Sequence, residues 1–506
     1  MSARLGFRLP FYSEPSALRT LWPYGLASAL VYLLGFTLPY WLPAHYLSIQ
    51  DEIYQFAVRE PWRGILFCVA LAAVFVFYLA AYRGVADRGL PRTRARWVGF
   101  WAVVFCLLLI PIQPVTSSDI YGYLFQGRIV AVLGENPFAH VYADFQGDPF
   151  YFCVTFKGLP AVTGYGPLWI AITAALGWLA RERMLLNLIL LKGLAAGLHL
   201  LSSLLVFATL KRLGSKTYVA AMLFYAWNPV LLYELAGNGH NDAVVAFLAL
   251  LGFYCLSREW WWGAIPCLSA AALVKPVVLL WLPLVAVWLL AQCPNWPARF
   301  VRAGVLAALA IVPAVAAYAP FWVGASTFQG LLTQSNIHGN SLPNLLIWGL
   351  WSAWPGFERQ VVQGVELLTA LILAAFYAWQ LGVIWRGASR PVPMGEERAG
   401  RPWQSLLRAS FDLMLFYLLF VSFQFWPWYL TWLMIPAAML DEPPFSIRRV
   451  LTLVLGVGSL LLYFPFGWQW VQSHWPGWGM ALGAALPMLG VCAWLAIHRL
   501  RSRPAP

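Results

Sequence analysis

The chain has 506 residues, of which 61% are hydrophobic and only 10% charged. Soluble domains run at roughly 45–50% apolar and about 25% charged, so this composition excludes a soluble globular enzyme, a disordered chain and a nucleic-acid-binding module. The net charge of +13, from 33 Lys and Arg against 20 Asp and Glu, is in so apolar a chain the mark of the cytoplasmic ends of membrane spans.

A membrane helix needs about 20 apolar residues, fewer inside a bundle. Such runs fall near 21–43, 62–82, 97–113, 185–209, 218–236, 243–257, 261–274, 277–291, 301–320, 363–385, 405–423, 427–440, 450–466 and 479–498. The first is too long for a cleaved signal and reads as a signal anchor. The expected architecture is all-α and polytopic, with about 14 transmembrane helices. An even count puts both termini on one side. With that side cytoplasmic, the inner segments hold 24 Lys and Arg, the outer segments hold 8, and Lys192 lies within a span. This bias assigns a multi-pass protein of the cytoplasmic (inner) membrane with both termini inside.

Gly166–Ala180 is apolar but short, and Arg181 and Arg183 follow it. A span there would invert the charge bias after it, so it is read as a helix lying on the outer leaflet. Residues 114–184 then form one long outer loop with interfacial helices near 119–133 and 167–179. A second outer segment, 321–362, carries another apolar stretch at 342–351. The expected organisation is N-terminal membrane helices over 1–96, a membrane core over 97–320 containing the long outer loop, and C-terminal membrane helices over 321–506. The Pro/Gly/Arg-rich stretch 386–404 reads as a linker. Seven cysteines, an odd number without a Cys-x-x-Cys pair, suggest neither a disulfide nor a zinc framework.

Charges at membrane depth or at the interface are costly and point to function. Six outer-facing stretches carry them or cluster polar and aromatic groups. The first, Ser117-Ser118-Asp119-Ile120-Tyr121-Gly122-Tyr123 with Gln126-Gly127-Arg128 and Asn136-Pro137-Phe138, follows the third span; Asp119 is there either a helix cap or a catalytic carboxylate. The second is Tyr165-Gly166-Pro167-Leu168-Trp169, by itself a Gly-Pro helix start with belt aromatics. In the third, Asn228-Pro229 leads through Glu234 into Gly239-His240-Asn241-Asp242, which places three titratable groups within nine residues of a short loop. Lys275-Pro276 is the fourth; its ammonium either snorkels or holds a phosphate as a point charge. Deeper in the membrane, Lys192 suggests an ion pair with a neighbouring helix. The fifth, 334–341, contains His338, and the sixth is Gln424-Phe425-Trp426-Pro427-Trp428-Tyr429, whose rings suit either an aromatic belt or sugar stacking. Walker, Rossmann and Gly-x-Ser-x-Gly patterns are absent from the sequence, which argues against a nucleotide-driven pump or a serine hydrolase. No metal constellation stands out.

Taken in order, the Asp119, Asn136, Tyr165, Asn228–Asp242, Lys275 and Pro427 motifs resemble those of the polyprenyl-phosphate-mannose-dependent α-1,6-mannosyltransferases, a GT-C group that extends lipoglycan cores of the actinobacterial cell envelope. The resemblance spans 98–440. It implies a GT-C-like membrane glycosyltransferase that moves mannose from a polyprenyl-phosphate donor to a glycan or glycolipid hydroxyl on the outer face. It also implies an acidic residue in the first large outer loop, here Asp119. Many GT-C enzymes carry that carboxylate after the first span, which keeps Asp51 as a rival.

The expected catalytic residues are Asp119 as general base, with His240 and Asp242. Lys275, His338 and Arg128 are expected at the donor phosphate, and Tyr123, Gln126, Tyr165, Trp169, Glu234, Asn241, Gln424 and Trp428 around the substrates. The lipid-phosphate donor is already activated, so no ATP is needed, and the resemblance implies that no cofactor or metal is used. A transporter or lipid-linked sugar flippase is the alternative; it calls for charges at the bilayer midplane and matched repeat halves. A non-catalytic scaffold would leave Asp119, His240 and Lys275 apart in space.

Overall fold

The computed structural model describes residues 15–47, 60–86, 95–154, 163–335, 341–389 and 400–460, together with 489, 490 and 493. The described residues are helical, with two isolated bridges and no strand. The longer helices are α1 (Pro15–Val31), α2 (Pro61–Ala86), α3 (Ala95–Leu109), α4 (Asp119–Arg128), α5 (Pro167–Ala180), α6 (Met184–Arg212), α7 (Tyr218–Ala226), α8 (Asp242–Ser257), α9 (Trp261–Ala272), α10 (Leu282–Ala291), α11 (Trp296–Tyr318), α12 (Leu342–Ala353), α13 (Glu358–Ala388), α14 (Gly400–Phe420), α15 (Leu430–Met439) and α16 (Ile447–Leu460).

Four of the described helical segments, 61–86, 184–212, 296–321 and 358–388, are long and apolar enough to cross a membrane, and the pair Tyr218–Ala226 and Pro229–Gly237 makes a fifth if its 41° bend lies within one span. Several other expected spans appear as shorter apolar helices, among them α3, α8 and the segment Pro276–Ala291. The expected span at 479–498 lies almost wholly outside the described residues.

Exposure sorts the helices into an inner and an outer set. All ten residues of α15 are buried, as are Val219–Ala226 of α7 and the segment Leu232–Gly237 that follows it. In contrast, α11 presents Phe300 (72% exposed), Val301, Val312 and Val315 outward. An apolar helix with so little buried surface fits a hydrocarbon surround better than water. The inner set is built by α8 against α6 and α9, α6 against α7, and α15 against α8, α14 and α16. Helices α4 and α5 pack on each other and on α6.

Four X-Pro steps shape the end of the bundle that matters here. Gly166-Pro167, Asn228-Pro229, Lys275-Pro276 and Trp426-Pro427 each restart a helix, with proline in its first turn. Pro in that position lacks only an N–H that had no partner, and it drives the preceding residue out of the helical region. Accordingly Gly166, Lys275 and Trp426 are extended and Asn228 has ψ 119°. At Asn228 the freed N–H groups are recaptured, as its side-chain oxygen accepts from Val230 N (3.0 Å) and Leu231 N (3.3 Å). Pro229 therefore breaks the expected span 218–236, while Pro276 and Pro427 stand at the starts of the expected spans 277–291 and 427–440, with short 3₁₀ or π turns at each. Irregular backbone at this depth is tolerated where protein buries it or where it lines a cavity.

Candidate active site

Asp119 is the first residue of α4, and Ser118 before it makes no side-chain cap bond. The Asp119 carboxylate lies beside two tyrosines and a histidine. Tyr123 OH lies 3.4 Å and Tyr165 OH 3.5 Å from Asp119 Oδ2, and the two hydroxyls are 3.4 Å apart. Burial, with the Asp119 and Asp242 carboxylates nearby, pushes both phenols well above their ordinary range. They remain neutral donors around a side chain that keeps 19% of its surface exposed.

Tyr165 reaches this point because the Gly166 turn docks on the chain leading to Lys275. Gly166 N donates to Val274 O and Leu168 N to Leu273 O, both at 3.2 Å. A Cβ on Gly166 would come within 2.0 Å of Leu273 O, so only glycine permits the approach. Trp169, one turn on, meets the Tyr123 ring edge-to-face at 5.0 Å.

The Glu234–Asp242 stretch passes behind Asp119. Gly239 adopts φ +76° directly over Ile120, whose Cδ1 a Cβ would approach to 2.6 Å. That turn brings His240 Nδ1 to 3.8 Å from Asp119 Oδ2 and His240 Nε2 to 3.3 Å from Glu234 Oε2. Neither contact meets hydrogen-bond geometry. Asn238 Nδ2 bridges Glu234 Oε2 (2.9 Å) and Thr116 Oγ1 (2.7 Å), and Asn241 Oδ1 accepts from Tyr123 OH at 3.4 Å. The His240 ring stacks on Trp428 with centroids 4.0 Å apart, and Trp426 stacks on Trp428 at 5.3 Å.

Asp242 starts α8 and is fully buried, so its charge needs partners. It takes a hydrogen bond from Trp432 Nε1 (2.6 Å) and an ion pair from Lys275 Nζ (2.8 Å). The Lys275 ammonium also lies over the rings of Trp432 (5.3 Å), Tyr429 (5.4 Å) and Tyr165 (6.0 Å), where the ring faces attract a cation. Asp119, His240 and Lys275 thus converge, with Tyr165 touching both the carboxylate and the lysine.

Several expected residues have other occupations. Arg128 Nε holds Asp148 Oδ1 and Oδ2 at 2.9 and 3.0 Å, its Nη1 holds Glu182 Oε2 at 2.9 Å, and the guanidinium covers Phe150. Its charge ties α4 to Asp148 and to the α5–α6 turn at Glu182. Gln126 is buried and donates to Tyr142 OH. Gln424 donates to Gln334 O and accepts from Trp426 Nε1, fixing the aromatic platform. Glu234 has no exposed surface, which leaves a substrate no path to its carboxylate. Lys192 is buried, and its ammonium donates to Ile112 O at the end of the α3 segment in place of the suggested ion pair. His338 and Asp51 lie outside the described residues. Trp432 was missed by the motif reading, although it lies one helical turn beyond Trp428. The six described cysteines are free thiols, and among the described residues no three His, Cys, Asp or Glu side chains are grouped to hold a metal.

Comparison with known proteins agrees with the family resemblance. Residues 22–292 match the family model described as alpha-(1->6)-mannopyranosyltransferase, N-terminal domain. Alpha-(1->6)-mannopyranosyltransferase A of Corynebacterium glutamicum is 24% identical over 181 residues, covering 36% of this chain and 36% of that protein. The match therefore spans about a third of the curated relative's length. The family model covers the whole Asp119–Lys275 stretch, and on that ground the chain belongs to the alpha-(1->6)-mannopyranosyltransferase family.

Proposed function

We propose that the protein transfers mannose from a polyprenyl-phosphate donor to a hydroxyl of a glycan or glycolipid at the outer face of the inner membrane. In this reading about 14 spans, with both termini cytoplasmic, carry a core over 97–320. Helices of the C-terminal segment supply Trp428 and Trp432. The bias of Lys and Arg toward the assigned inner segments supports the orientation.

The observation that carries the reading is the partly exposed Asp119 carboxylate, ringed by Tyr123, Tyr165 and His240, with the Lys275–Asp242 pair beside it. The acceptor hydroxyl attacks the anomeric carbon while Asp119 takes its proton. The C–O bond to phosphate breaks and the electron pair leaves with the phosphate. Lys275 offers that group a cation whose position is set by Asp242 and three rings, so little reorganisation is needed as negative charge develops. One such displacement inverts the anomeric carbon. Trp428 and Tyr165 supply faces and a hydroxyl for a sugar, and the donor's phosphate ester supplies the driving force without a nucleotide or metal. The polar groups cluster at one end of the bundle around helix breaks, which favours an enzyme over a transporter with charges at the midplane.

The test is transfer from labelled polyprenyl-phosphate-mannose in isolated membranes to an acceptor panel, with the product read by mass. Transfer by the wild type and its loss in Asp119→Asn are expected. Near-normal transfer by Asp119→Asn would remove the base assignment, and wild-type transfer from a nucleotide sugar alone would remove the donor assignment.

A further inference from the structure

Beneath Asp119 lies a second carboxylate that the transfer step above does not use. Glu234 is fully buried on a π turn, its Oε2 held by Asn238 Nδ2 and facing His240 Nε2. His240 is 1% exposed and has a carboxylate within 4 Å of each ring nitrogen, while neither nitrogen makes a hydrogen bond. Its ring is held flat against Trp428. A buried imidazole aimed at two carboxylates is costly to maintain unless its nitrogens are used.

We propose that Glu234 and His240 are positioning residues that act through Asp119, drawing the acceptor's proton inward during transfer. This rests on Asp119 being the base. The buried carboxylate of Glu234, 3.3 Å from Nε2, favours the tautomer with its proton on that nitrogen, leaving the lone pair on Nδ1 to face Asp119; the logic is that of the acid in a carboxylate–histidine couple. Two facing acceptors stand apart, which accounts for the 3.8 Å between Nδ1 and Asp119 Oδ2. Once Asp119 has taken the acceptor's proton, the same pair becomes donor and acceptor. The contact shortens, the proton passes to Nδ1, and Asp119 is again an anion. The imidazolium formed lies between Glu234, Asp119 and the Trp428 face. When product leaves, the proton returns through the partly exposed Asp119 to water. No redox partner is required. The other groups bordering the couple are the hydroxyls of Tyr123 and Tyr165 on Asp119, and the Asp242–Lys275 pair, which neutralises itself.

The experiment measures initial transfer rates in membranes normalised for protein content, for Glu234→Gln, Glu234→Asp, Asp119→Asn and His240→Ala. General acid–base groups contribute about 10²–10⁴-fold, and a group acting at one remove is expected at the lower end, a loss of about 10²-fold in kcat for Glu234→Gln. Donor and acceptor KM should stay within about 2-fold, with partial recovery in Glu234→Asp. His240→Ala should be rescued by added imidazoles, at rates that rise with the basicity of the imidazole. A His240 that only fills space would be rescued equally by imidazoles of any basicity, and that result would overturn the proposal. So would wild-type kcat in Glu234→Gln alongside an inactive Asp119→Asn, which would leave the base assignment standing. An active Asp119→Asn would instead remove the base assignment itself.

Discussion

The two ends of α15 carry charge clusters built on opposite principles. At its far end, Arg449 is wholly buried, and its Nε, Nη1 and Nη2 donate to the carbonyls of Ala437, Glu442 and Leu440. Beside it, Arg448 grips Asp412 with two hydrogen bonds of 3.0 Å and Glu442 with a third of 3.1 Å. At the near end the Asp119, His240 and Glu234 groups stand 3.3–3.8 Å apart. A cluster that only holds helices together closes its hydrogen bonds, as bidentate arginine pairs do. A cluster that must meet a substrate leaves capacity open. Within the near end Asp242 is the closed member, held by Trp432 and Lys275, while Asp119 is open and the Lys275 ammonium, which gives Asp242 one of its three N–H groups, keeps donors for a substrate.

One chemical change made at both ends would break this comparison or sharpen it. Asp119→Asn should lower kcat by about 10³-fold and leave the apparent Tm of the detergent-solubilised protein unchanged. Asp412→Asn should leave transfer within about 2-fold while lowering Tm slightly, because a half-exposed ion pair contributes about 1 kcal/mol or less. Reversed outcomes, read by transfer rate and thermal unfolding, would show that closed and open geometry do not separate structure from chemistry.

Next in size is Arg449→Met. It leaves three inward carbonyls without their donor, at about 1–3 kcal/mol for the first and less as the end relaxes. The expected result is a Tm several degrees lower, with unchanged activity per folded molecule. Lys275→Met comes third. Losing a charge-assisted hydrogen bond costs about 1.5–3 kcal/mol, which should raise donor KM roughly 10-fold or more while acceptor KM stays constant. Since the substitution also strands Asp242, Lys275→Arg is the companion variant. It keeps the charge, and its donor KM should fall between those of wild type and Lys275→Met.

Much of this contrast was legible in the chain, though unevenly. Helix positions were readable because apolar runs and X-Pro steps are local. The helix expected over 167–179 is Pro167–Ala180, and that expected over 119–133 is Asp119–Arg128 extended by a π turn to Leu133. Gathering Asp119, Glu234, His240, Asp242, Lys275 and Trp428 as polar or aromatic motifs also followed from local cost at a membrane surface. Their division of labour did not. Whether Lys275 meets Asp242 or Asp119 depends on the register of α8, the Gly166 turn and α15, which join residues up to 190 positions apart. The pairing of Arg128 was hidden for the same reason: its partners Asp148 and Glu182 lie 20 and 54 residues away. Glu234 looked available because a short loop surrounds it, and only packing buries it.

The smallest expected effect concerns the two phenols on Asp119. Tyr123 and Tyr165 have folded values well above the ordinary range, chiefly through burial and partly through neighbouring carboxylates that oppose a phenolate. A group raised in the folded state contributes stability that is present in full below its unfolded value, about 10 for tyrosine, and that stability is lost as pH rises toward the folded value. Tm of the solubilised protein should therefore hold steady to about pH 10 and decline beyond it. Other buried tyrosines share that decline. Replacing Tyr123 and Tyr165 together by Phe should remove only part of the slope, while at pH 7 it should lower transfer modestly by releasing Asp119 from its two donors. An alkaline slope identical to wild type would mean that the phenols ionise freely beside Asp119. The near end of α15 would then be open to water as well as to substrate, a looser site than its 3.4–3.5 Å contacts describe.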